Sequence, residues 1–149
     1  MKKSEIRSAL DALKTIKMQE VSNTDLRASL VRAHFVLLGE MNKLDAVMKD
    51  IHTVHLGAYE AEIGEIVPLE QEMMNPSTTS DRRLEIAKEL RSHEGLQAAI
   101  KLFNAEAEKI GEEEVEIPAI DTTTFLAEAT AMGLDFDILE KLYPMLTGE

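Results

Sequence analysis

Apolar residues recur three and four positions apart along most of this chain, a helical rhythm that begins almost at the first residue. Ile6, Leu10, Leu13 and Ile16 share one face of a helix that this spacing predicts over about residues 4–19. Val21-Ser22-Asn23-Thr24-Asp25 follows, and its side-chain oxygens suit the capping of free amides at the start of a second helix. On that helix Leu30, Leu37, Leu44 and Ile51 recur every seven residues, and His34, Met41, Met48 and His55 sit four residues after each. This is an a/d stripe over about four heptads. Each covered Leu or Ile contributes on the order of 1.5–3 kcal/mol, so the stripe demands a partner helix and is the candidate interaction surface.

Gly57, Gly64 and Pro68 weaken the continuation, and a kink or break is expected near Pro68, where a backbone donor is lost. Asn75-Pro76-Ser77-Thr78-Thr79-Ser80 reads as the tip of a hairpin. A third helix is expected from residue 80 or 81 to residue 110, with Ile86, Leu90, Leu96, Ile100, Phe103, Ala107 and Ile110 as its apolar face and Gly111 as its stop. Residues 1–111 therefore read as a long antiparallel helical hairpin with the N-terminal helix packed alongside. Beyond Gly111, the stretch Glu112-Glu113-Glu114-Val115-Glu116-Ile117-Pro118 alternates charged and β-branched residues and reads as extended chain or one very short strand. Asp121 can cap a helix to about Met132, Gly133 can end it, and Leu134 to Leu142 supports another before Pro144. Residues 112–149 are thus an extended linker and short C-terminal helices folded back on the same domain through Phe125, Leu126, Leu139 and Leu142. The fold class is all-α.

Composition supports that class: 149 residues suit one domain, and four Phe, two Tyr and no Trp leave the core to Leu, Ile, Ala and Met. With no cysteine there is no disulfide, thiolate nucleophile or cysteine-bound metal. No run of eighteen uncharged apolar residues exists to span a membrane, and charges within Ile6–Leu13 argue against a signal peptide. The expected location is the cytoplasm of a host cell, or a virion. The net charge of −12 is uneven: residues 1–50 carry nine Lys/Arg against seven Asp/Glu, leaving −14 for the remainder. An acidic surface disfavours direct binding of duplex nucleic acid, although it could mimic phosphates in a partner's nucleic-acid site.

Candidate chemistry is sparse. His34, His52, His55 and His93 lack the Glu-x-x-His pairs of a di-iron bundle, and His34 and His55 fall within the apolar stripe, where a hydrogen-bonded interfacial role is the simpler reading. Glu60, Glu62, Glu65, Glu70 and Glu72, with Glu112, Glu113 and Glu114, form a candidate acidic face. Glu62-x-x-Glu65 resembles half of the magnesium site of all-α nucleotide pyrophosphatases, but a downstream Glu-x-x-Asp to complete it is missing. Met41, Met48, Met73 and Met74 suit core packing or an adaptable partner surface. Lys2, Lys3, Arg7, Lys14 and Lys17 suit a solvated helix face or an anionic neighbour. No catalytic residue, cofactor site or metal site is assigned.

The order helical hairpin, then Phe103-Asn104-Ala105-Glu106, then residues 112–118, Phe125 and a closing Leu139-Glu140-x-Leu142 resembles a family of small tailed-phage and prophage proteins of unknown function, DUF1617. The resemblance covers the last third of the chain. It implies a phage accessory protein and transfers no functional residues. The expected function is accordingly non-enzymatic, through helix-mediated contacts with a second copy or with a host or phage protein. The alternatives are an anti-defence inhibitor, acting by acidic mimicry or by sequestering a small signalling nucleotide, and a magnesium-dependent nucleotide hydrolase.

Overall fold

Capping and breaking residues divide the chain into helices much as the apolar rhythm predicts. The computed structural model describes residues 1–147, and it is all-α apart from two dipeptide strands. The helices are α1 (Ile6–Thr15), α2 (Thr24–Leu56), α3 (Glu60–Met74), α4 (Ser80–Ser92), α5 (Glu94–Gly111), α6 (Thr122–Met132) and α7 (Phe136–Leu142). Strand β1 (Ile120–Asp121) pairs in parallel with β2 (Leu146–Thr147). Two compact units result: Met1–Ala46 together with the chain from Lys109 onward, and Val47–Glu108. The partition cuts α2 and α5, because α1 and the C-terminal helices share a core.

In the first unit, Leu30, Ala33, Leu37 and Met41 of α2 are buried with Ile6, Leu10 and Leu13 of α1 and with Phe125, Ala129, Leu142 and Met145 from the C-terminal segment. α1 packs along α7. Asn23 caps α2 by accepting the Leu26 amide at 2.9 Å, and Asp121 caps α6 by accepting the Thr124 amide at 2.7 Å. α1 stops four residues short of the expected end: Ile16 is extended (φ −78°, ψ 122°), and extended backbone at Ile16 and Val21 drives both side chains into the core. Tertiary burial here overrides local helical spacing. Gly133 ends α6 at φ 65°, a left-handed conformation that glycine adopts without a Cβ clash. After a turn at Glu112 and Glu113 the chain leaves helical structure, with a lone bridge at Glu114, and its partner is the N-terminus: the Val115 amide donates to the Met1 carbonyl at 2.9 Å and the Lys3 amide to the Glu113 carbonyl at 2.8 Å.

The Glu128 carboxylate on α6 fastens the start of α2, accepting the Ser22 hydroxyl, the Ser22 amide at 3.0 Å and the Asn23 amide at 3.2 Å. These donors, the Ser22 hydroxyl foremost, hold its carboxyl below the usual carboxylate range.

The second unit is the helical hairpin. The last turns of α2 continue into α3 through a 3-10 turn at Gly57–Tyr59, and α4 and α5 return beside them, with Leu56, Ile66, Leu96 and Ala99 as the buried centre. The expected break near Pro68 is absent: Pro68 lies inside α3. Pro68 and Gly64 are both exposed, so water can satisfy the Gly64 carbonyl that proline leaves without a donor. The expected single helix over residues 80–110 is instead two, broken at His93 (φ −91°, ψ 55°). At the break a Cβ on Gly95 would sit 3.3 Å from the Tyr59 hydroxyl oxygen, so glycine lets that ring close over the start of α5.

Two measurements check these assignments. Leu37→Ala should destabilise the protein by roughly 2–5 kcal/mol, read as a lower urea midpoint, because Leu37 is wholly buried. Glu128 has a folded pKa below its unfolded value, so its contribution is present above the ordinary carboxylate range and is lost as pH falls through the folded value. The stability gap between the parent and Glu128→Gln should therefore be widest near about pH 7 and narrow towards about pH 3.

Candidate functional site

The side chains that α2 leaves in solvent differ from those of its heptad stripe. Leu30 and Leu37 are fully buried and Met41 nearly so, while Leu44 packs on the same core. In the hairpin unit Ile51 is buried, Met48 is half-buried, and His55 pairs with Glu106 of α5. The stripe proposed as an interaction surface is therefore largely occupied by the chain's own elements: α1 and the C-terminal helices cover its first half, and the returning hairpin arm engages His55.

What remains open on α2 in the first unit is Val31, Phe35 and Leu38, spaced four and three residues apart and so on one face. Phe35 is 66% exposed, the most exposed apolar side chain in that group. Beside it, Leu13, Lys14, Ile16, Met18, Val31, His34 and Phe35 line an open groove of about 330 Å³. The groove lies where α1 ends at Thr15, with Ile16 and Met18 beyond that end facing Val31, His34 and Phe35 of α2 across it. His34 lies edge-on to Phe35, with ring centroids 5.7 Å apart. Lys14 and His34 are the polar lining residues, and the lining contains no carboxylate.

The proposed acidic face is not gathered into one site. At 100° per residue Glu60, Glu65 and Glu70 project in three different directions around α3. Glu62 binds His93 Nδ1 at 2.9 Å, and Glu72 takes a two-point ion pair from Arg82, with contacts of 2.7 and 3.1 Å. Arg82 lowers the Glu72 pKa and has its own raised in return. Lys2 and Lys3 pair with Glu112 and Glu113, each at 2.6 Å, and the Glu114 backbone bridges to Lys2. The Lys2 pKa is raised by its bond to Glu112. These pairs are exposed, so each is worth little to stability.

Among the described residues no three His, Asp or Glu side chains converge as a metal ion would require, and no helix is long and apolar enough to cross a membrane. His52 stands edge-on to Phe103 at 5.9 Å, an aromatic contact within the hairpin. Of the methionines singled out as adaptable, Met41 is buried, Met48 and Met73 are half-buried, and Met74 is 84% exposed at the hairpin tip.

Val31, Phe35 and Leu38 carried a readable signal, a second apolar stripe on the same helix, but the longer heptad stripe dominates it. Comparison with known proteins places the chain beside none of them: no family model, curated protein or solved structure matches.

Since Phe35 faces water, Phe35→Ser should leave the unfolding free energy, read by urea denaturation, within about 0.5 kcal/mol of the parent. The same change should reduce binding of an apolar fluorescent dye to the folded protein. Dye binding equal to the parent's would show that the groove is not an apolar site.

Proposed function

We propose that this is a non-catalytic interaction protein, an accessory of a tailed phage or prophage, that engages partner proteins through exposed apolar helix surfaces. The observation that carries the reading is the groove between α1 and α2, with Phe35 held in solvent at its edge. A long aromatic side chain left two-thirds exposed forgoes the burial free energy that folding would otherwise gain. A concave apolar site rimmed by polar groups is the geometry with which protein and peptide partners are recognised. The phage setting is supported by the resemblance of residues 103–142 to the DUF1617 proteins. Partners are a second copy of the chain or a host or phage protein.

Site-specific photo-cross-linking tests the reading. A benzophenone amino acid placed at position 35, in the protein produced in its bacterial host, should give discrete adducts. The same group at Thr123, on the exposed side of α6, should not. Val31→Glu in the position-35 variant should suppress the adducts by placing a carboxylate in the groove. Adducts no stronger at position 35 than at position 123 would refute an interaction role for this surface.

A further inference from the structure

The first unit also carries a surface with the reverse character of the groove. Phe136 at the start of α7 and Tyr143 directly after it are 77% and 75% exposed. Helical backbone continues through Tyr143 (φ −50°, ψ −41°), so residues seven apart share a face. Glu140, four residues after Phe136 and three before Tyr143, stands exposed between them. The result is a convex ridge of aromatic, carboxylate, aromatic. The groove presents apolar walls with Lys14 and His34 and no carboxylate. In a chain of net charge −12, two copies repel one another over most of their surfaces. The apolar groove, with Lys14 on its lining, is a place where an aromatic ridge bearing a carboxylate is attracted instead.

We infer that the groove of one copy receives the Phe136–Glu140–Tyr143 ridge of a second copy, with Glu140 meeting Lys14 and an aromatic ring packing against Phe35. This rests on the interaction reading and names the partner. α1 supplies Lys14 to the groove and packs along α7, so both surfaces flank one helix of one unit. That proximity suits a twofold pairing in which each copy both gives a ridge and receives one. Lys14 has a competing intrachain partner, Asp11, at 3.8 Å with both side chains more than half exposed, a contact weak enough to be exchanged. A contact made by one ridge in one groove predicts association that is concentration-dependent rather than permanent.

Sedimentation of the full chain from about 1 µM to about 300 µM, spanning weak association, is the test. The mass should rise above that of one 16.6 kDa chain as concentration increases. Phe136→Ser with Tyr143→Ser should abolish the rise while leaving the circular dichroism spectrum unchanged. Lys14→Glu and Glu140→Lys should each weaken association by about tenfold, and both together in one chain should restore it, since the pair is then reversed across the contact. A parent that stays monomeric throughout overturns the inference. So does association indifferent to the ridge variants, or a double charge reversal that rescues nothing. If the parent is monomeric while the position-35 cross-linker still captures a different protein, the interaction reading stands without self-association; if it captures nothing, both fall.

Discussion

Burial of the Leu30–Leu37–Met41 edge of α2 is the constraint on which the first unit depends. α1 alone is ten residues long and too short to cover it or to persist by itself. The C-terminal segment therefore has to return, and it does so with Phe125, Ala129, Leu142 and Met145 closing the same core. The peripheral polar contacts follow from that return. Glu128 reaches the start of α2 only because α6 lies there, and the parallel pairing of β1 with β2 brings the two ends of the C-terminal segment together. Groove and ridge are likewise consequences of the packing, being the flanks of α2 and α7 left over once the core is satisfied.

Much of this architecture is written in the spacing of apolar residues. The heptad stripe locates α2 and its buried edge, Asp121 and Gly133 mark both ends of α6, and Asn75–Ser80 marks the turn of the hairpin. The departures at Pro68 and at the end of α1 have physical causes that local rules do not weigh. Pro68 is tolerated in α3 because the carbonyl it orphans faces water. The break at His93 was in fact visible: Leu90 and Leu96 are six apart, a step that throws a continuous helix out of phase, and interrupting the helix restores the alignment of Leu96 and Ala99 with Leu56 and Ile66. The end of α1 depended on Ile16 and Val21 finding a core that lies far along the chain, which no local pattern contains.

The candidate surface was less legible for a related reason. A periodic apolar stripe announces that something must cover it without saying whether the cover is the same chain. Here the chain covers most of the stronger stripe, and the weaker Val31–Phe35–Leu38 stripe stays exposed. The acidic residues show the converse: close in sequence on α3, they are dispersed by the 100° helical step, and Arg82 and His93 engage two of them. Concentration of charge along a sequence is not concentration of charge in space.

The order in which these parts are made also matters. The first unit is interrupted by the whole hairpin, Val47–Glu108, and needs the chain from Lys109 onward to close its core. On a ribosome, the apolar edge of α2 therefore emerges early with only α1 beside it, while the hairpin, whose contacts lie within about sixty neighbouring residues, is free to form first. The core of the first unit can thus close only after the C-terminal helices have been made, so its folding waits on contacts far apart along the chain.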